Sequence, residues 1–266
     1  MARVQCENAP GIGAWVMHET VVASAIFICL IAAYFISQRL YGWLPESQRE
    51  EDTHQVVRSL AGLFVLMTSL VLGLMLNSAR TTFEQVDQNV HTFATDLILF
   101  DRTLLLYGPE ANATRESLLA YVKRAANDGH INNPDEGDRL AEALLNDVGK
   151  SLRSIAAKDP EHIARWQDAL IQFHKIVERR WTLVEQSEGT IPTPMIIMLA
   201  AWLMLIFASF GYRAPRNAVT IVSFVGSAAL IAAAIYLIID MDVPFSGPIQ
   251  VSAKPLQRVL VEIQRP

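Results

Sequence analysis

Apolar and polar residues along this chain fall into long blocks rather than alternating residue by residue, which predicts helices and few strands. Four blocks are apolar enough and long enough to cross a hydrocarbon core of ~30 Å: Val21–Ser37, Leu60–Leu76, Met195–Tyr212 and Ala218–Ile239. The region between the second and third blocks is polar with helical periodicity. The pattern predicts an all-α integral membrane protein with four transmembrane helices and a soluble helical bundle inserted between the second and third. Its parts are residues 1–80 (amino-terminal tail and the first two spans), 81–191 (the bundle), 192–240 (the last two spans) and 241–266 (a carboxyl-terminal tail).

The second span is expected to continue without a break from Arg58 to Arg102 as one helix, apolar to Leu76 and polar from Asn77 onward. At 100° per residue, Ser59, Gly62, Leu66, Ser69, Gly73, Asn77, Arg80, Glu84, Asp87, His91, Thr95, Ile98 and Arg102 share a sector about 80° wide. Nearly every small or polar residue of the apolar half lies there. Leu60, Phe64, Met67, Val71 and Met75 form the opposite side, suited to lipid or a neighbouring helix. Two readings fit the stripe. Small residues at this spacing form close helix–helix seams. Alternatively, several copies of the helix surround a water-filled path lined by Ser69, Gly73 and Asn77, with Arg80 at its mouth.

Gly108-Pro109 is expected to end the long helix. Helices follow over Thr114–Ala126 and Arg139–Ala157, separated by the turn-rich stretch Asn127–Asp138. Asp159-Pro160-Glu161 opens a further helix, whose apolar stripe is read as Ile163, Trp166, Leu170, Phe173, Val177 and Val184. A bundle packed around the extension of the second span is the economical arrangement. The segment after Asp242 is too rich in Pro and Gly for a continuous helix, and a short last helix is expected after Pro255.

Composition agrees with membrane segments joined to a soluble part: 52% of the 266 residues are hydrophobic and 18% are charged. The net charge of −5, without a concentrated basic patch, points away from nucleic acid. Cys6 and Cys29 suggest no disulfide framework; they read as a free tail thiol and a small buried hydrophobe. The amino terminus lacks the pattern of a cleaved leader, so the first apolar block is expected to be retained.

Candidate chemistry is sparse. His18, His54, His91, His130, His162 and His174 are scattered, and no pair has helical metal-site spacing. His91, one turn from both Asp87 and Thr95, is either a proton-sensitive group or a surface ion-pair partner. Asp240 and Asp242, at the end of the fourth span, either form an acidic ring around an oligomer axis with Glu84, Asp87 and His91 at the mouth, or simply end the helix. Asn112-Ala113-Thr114 reads as a glycosylation acceptor or a helix cap. No phosphate-binding loop, activated nucleophile or paired carboxylates are recognisable, so neither an enzyme nor a cofactor is expected.

The aromatic residues Tyr34, Phe35, Tyr41 and Trp43 around Arg39 are expected at a membrane–water boundary. With four spans, the two short loops share a side, and their Arg39, Arg49, Arg58, Arg213 and Arg216 favour the cytoplasm for those loops. The element LIIDMDVPFSG (Leu237–Gly247), together with LGLMLNSARTTFEQ in the second span, resembles the bestrophin-like family of bacterial membrane proteins, relatives of the bestrophin channels. That resemblance implies a pentameric ion channel of the bacterial inner membrane, whose partners are the lipid bilayer, inorganic ions and further copies of itself. It also implies that the second span lines the pore, with Leu66 as the constriction. It puts the bundle in the cytoplasm, against the arginine count, so the side stays open. Pro248–Lys254 contains no acid, so a calcium clasp after the Pro-Phe element is not expected. A non-conducting membrane-anchored scaffold or sensor is the competing reading.

Overall fold

A computed structural model of the chain describes residues 12–41, 43, 51–127, 136–157, 159–187, 189, 191–212, 214–215, 217–245 and 247–265. The residues Cys6, Arg49, His130, Arg213 and Arg216, and the side chains of His18 and His54, lie outside this description. Among the described residues the regular elements are all helical: α1 (Ile12–Tyr41), α2 (Glu51–Tyr107), α3 (Asn112–Asn127), α4 (Glu136–Arg153), α5 (Pro160–Glu185), α6 (Thr193–Gly211), α7 (Ala218–Asp242) and α8 (Lys254–Gln264). The chain forms two compact units. One comprises the described residues of Trp15–Thr82 and Gly189–Asp242, the other those of Phe83–Glu188 and Val243–Pro266. Helix α2 has 57 residues, about 85 Å at 1.5 Å per residue, and contributes to both.

The first unit holds the four helices that are long and apolar enough to cross a membrane, in α1, α2, α6 and α7. Its core draws Ile26, Leu30 and Tyr34 from α1, Met75 and Ala79 from α2, Leu199, Leu203 and Phe207 from α6, and Ala228, Ile235 and Ile238 from α7. Tyr34 was expected at a membrane–water boundary, yet it is buried, with its ring stacked on Phe224 at 4.3 Å between centroids. Gly211 explains how. A Cβ there would stand 2.7 Å from the Tyr34 carbonyl oxygen, so only glycine lets the end of α6 approach α1 this closely. The Ser37 hydroxyl donates to the Ala208 carbonyl across the same contact. Cys29, expected to be buried, is exposed, because α1 packs through positions 26, 30 and 34 and position 29 falls off that face.

The second unit is a helical bundle built on the distal half of α2. There Val86, Val90, Phe93, Leu97, Phe100 and Leu104 are buried, alternating steps of four and three, the spacing at which one helix seats its side chains in another. On α5 the buried positions Ala169, Phe173, Ile176, Arg180 and Leu183 follow the same rule. A polar ladder runs beside this seam. Asn89 Nδ2 donates to Gln186 Oε1 at 2.8 Å, Arg179 Nε to Asp96 Oδ2 at 3.2 Å, and the Thr103 hydroxyl to Gln172 Oε1 at 2.9 Å. The partners rise by seven along α2 and fall by seven along α5, so the two helices pair antiparallel.

The α5 face is therefore turned about 70° from the apolar stripe expected for it. Ile163 is exposed, Trp166, Leu170, Val177 and Val184 are only half-buried, and Ala169 and Arg180 take the interior. Helix α4 ends at Arg153 rather than Ala157, where the Ser154 hydroxyl and amide turn back onto Ser151. Gly108, with φ of 117°, ends α2 as expected. Asp159 caps α5: its carboxylate accepts from the His162 amide at 2.9 Å. That hydrogen bond is the main reason the Asp159 carboxyl sits below its usual range. Thr114, the third residue of the glycosylation pattern, is buried, its hydroxyl 3.0 Å from that of Ser151.

The carboxyl-terminal segment is not merely a tail. Leu256, Val259 and Ile263 of α8 are buried in the core of the bundle. Asp101, itself buried, receives a two-pronged contact from Arg115, with Nε 2.8 Å from Oδ1 and Nη2 3.2 Å from Oδ2. Arg115 also reaches the Ile263 carbonyl at 3.5 Å, so a single guanidinium links α2, α3 and α8.

Two stability outcomes follow. Arg115→Ala strands the Asp101 carboxylate inside the bundle and lowers unfolding stability by roughly 3 kcal/mol, measurable by denaturant titration of the purified protein. Gly211→Ala drives a methyl into the Tyr34 backbone and costs about 1–3 kcal/mol. Gly62→Ala, with nothing within 4 Å of its added carbon, costs nothing of this kind; equal losses for the two glycines would refute the close approach of α6 to α1.

Candidate functional site

The residues proposed from sequence to line a path all sit on α2, and their placement follows from which face of that helix is buried. In the apolar half, Ala61, Thr68 and Met75 are buried, followed by Ala79. They recur every seven residues, one contact per two turns. Helical periodicity puts this ridge about 140° from the centre of the small and polar stripe.

The stripe is accordingly turned away from its own protomer. Gly62, Leu66, Ser69, Gly73, Asn77 and Arg80 are all exposed, and Leu66 retains 69% of its accessible surface. Small residues that serve a close seam have a neighbour against them, as Gly211 does; an added Cβ at Gly62 or Gly73 meets none within 4 Å. Of the opposite side, Met75 is buried, Phe64 and Val71 are half-buried, and Leu60 and Met67 are exposed.

Further along α2, Glu84 and His91 are exposed and Asp87 is half-buried. His91 Nδ1 lies 2.9 Å from the Asp87 carbonyl oxygen and 3.6 Å from Asp87 Oδ2, the local pairing of an exposed helical turn. The Thr95 hydroxyl donates to the His91 carbonyl at 3.0 Å, and Arg102 pairs with Glu262 of α8 at 3.5 Å. His162 is engaged with the Asp159 cap.

Of the two readings of Asp240 and Asp242, the second, that they end the helix, fits α7, which stops at Asp242; their accessible surfaces within the protomer are 0% and 4%. The Ile191 amide donates to Asp242 Oδ2 at 2.9 Å, tying the lead-in of α6 to the end of α7. Within the protomer these carboxylates face inward and do not join the α2 stripe.

The residues that sequence reasoning passed over are those of the ridge, Thr68 above all. Its signal was the seven-residue recurrence of Ala61, Thr68 and Met75, masked by a small and a polar residue among the three. Among the described residues no three His, Cys, Asp or Glu side chains gather as a metal ion would need.

Two substitutions on one helix separate ridge from stripe. Met75→Ala empties a buried position and lowers stability by about 2–4 kcal/mol. Ser69→Ala leaves it within about 0.5 kcal/mol, as for surface positions, and Gly73→Ala does not lower it, the helix gaining up to about 1 kcal/mol in propensity. Thermal melts of the three purified variants are the check.

The Bestrophin-like domain family matches this sequence over residues 28–256. No curated protein matches it. Crystal structures of a bacterial bestrophin homologue from Klebsiella pneumoniae, each carrying one point substitution, share the fold. One superposes with a TM-score of 0.62 at 12% identity, covering 90% of this chain and 96% of the other. A second gives 0.61 at 11% identity, covering 90% and 97%. A third gives 0.58 at 13% identity, covering 96% and 99%.

Proposed function

The chain belongs to the Bestrophin-like family, and from that premise we propose that it is a homo-oligomeric, pentameric ion channel of the bacterial inner membrane whose α2 helices together line the ion path. The observation that carries this reading is the outward direction of the small and polar face of α2, about 140° from the ridge that holds the helix to its own protomer.

A face bearing Ser69, Gly73 and Asn77 gains nothing from hydrocarbon, where a polar group without a hydrogen-bond partner is costly. Repeated around an axis, the same face meets water and ions. The carbonyl-side oxygen of Asn77 and the hydroxyl of Ser69 then replace part of an ion's hydration, while Leu66 narrows the path by excluding water. Arg80, Glu84, Asp87 and His91 stand at its mouth. The side of the membrane on which the helical bundle lies plays no part in this reading.

Purified protein in liposomes is expected to pass small ions, and Leu66→Ala to raise the flux severalfold if that side chain constricts the path; an unchanged rate removes Leu66 from that role. In a background lacking both cysteines (Cys6→Ser, Cys29→Ser), a charged thiol reagent is expected to label cysteines at 69, 73 and 77 but not at 64, 67 and 71. Absence of flux across several salts, together with silence at 69, 73 and 77, would return the protein to a non-conducting membrane scaffold.

A further inference from the structure

The two halves of α2 are held very differently. The distal half buries two positions per heptad, large ones, and is clamped further by the polar ladder to α5 and by the Arg115–Asp101 contact. The apolar half buries fully only Ala61, Thr68, Met75 and Ala79, with Val71 and Leu72 partly buried against the same core. Alanine offers little area to bury. Threonine adds a difficulty of its own, since its Oγ1 is buried and meets no hydrogen-bond partner.

The last point is unusual on this helix. Thr81, Thr92 and Thr95 each donate to the carbonyl four residues back, the standard way for a helical threonine to satisfy its hydroxyl. Thr68 sits in the middle of the ridge and does not. A hydroxyl left unmet in an apolar core opposes the very contact it belongs to. A departure of α2 from the ridge frees the side chain to turn and donate to the carbonyl of Phe64, four residues back.

We propose that the apolar half of α2 is a weakly docked arm, that Thr68 sets how firmly it docks, and that docking sets the width of the ion path. The inference rests on the channel reading above. Because ridge and stripe lie on nearly opposite sides of the helix, an arm seated on its own protomer draws Leu66, Ser69, Gly73 and Asn77 back from the axis and widens the path. An arm that leaves the ridge carries the same residues toward the axis and narrows it.

Thr68→Val keeps the shape of the side chain and removes the hydroxyl. It is expected to raise the ratio of open to closed time in single-channel recordings about fivefold, with the conductance of the open channel unchanged. Met75→Ala, which weakens the ridge, shifts the ratio the other way. Thr68→Ser retains the hydroxyl and stays near the parent value. A second measurement needs no conduction: spin labels at Leu70→Cys and Ile197→Cys, both at exposed positions, in the background free of native cysteines and diluted with unlabelled copies, report the α2–α6 distance inside one protomer. Two distance populations are expected, with Thr68→Val enriching the seated one and Met75→Ala depleting it. One narrow population, indifferent to both substitutions, overturns the arm. An open ratio indifferent to Thr68→Val in a conducting protein overturns its role in gating. Absence of flux alongside responsive distances would sink the channel reading and leave the arm standing.

Discussion

The recurrence of buried positions at seven-residue intervals along α2 is the constraint on which the rest depends. A helix of this length passes from apolar to polar surroundings, and its exposed residues change character accordingly, from Leu63, Leu70 and Leu74 to Glu84 and His91. In the apolar half Ala61, Thr68 and Met75 are buried while Ser69, Gly73 and Asn77 are exposed, so there one face serves folding and another is left available. In the distal half Val86, Phe93 and Phe100 are buried in turn.

The packing on the two units shows how that division is maintained. In the bundle, volume does the holding: Phe93, Phe100 and Phe173 fill the space between α2 and α5, and Gly149 admits the Phe173 ring, since a Cβ there would come within 2.8 Å of it. The apolar-helix unit depends instead on close approach. Gly211 admits the Tyr34 backbone, Tyr34 stacks on Phe224, and the carboxylate of Asp242 fastens the segment before α6. Neither device requires the outward face of α2. Substitutions along the exposed face of the apolar half therefore leave the packing of the protomer intact.

Buried charge is used sparingly and at junctions between elements. Asp101 joins α2 to α3 through Arg115, which in turn reaches the end of α8. Arg180 occupies a core position of α5, lying 5.7 Å from the ring of Trp181. Buried ionic groups seldom add net stability compared with apolar residues of similar volume, but removing one member alone is costly. The placement of the Asp101–Arg115 pair where α2, α3 and α8 meet ties the register of those helices together, as single polar core residues do in coiled coils.

The sequence by itself determined the helices. Long apolar blocks need a partner that hydrocarbon supplies, Gly108-Pro109 cannot continue a helix, and Asp159-Pro160 starts one; these are local properties of the chain. The stripe on α2 was equally legible, because helical periodicity follows from backbone geometry alone. Which face of a helix is buried is a property of its neighbours, and only the tertiary structure decided it. Thus the α5 stripe was read about 70° off, since Ala169 and Arg180 carry no apolar signal yet face α2. The burial of Tyr34, Asp240 and Asp242 against neighbouring helices was hidden from the sequence for the same reason. Thr68 was invisible among leucines until its neighbours closed over it.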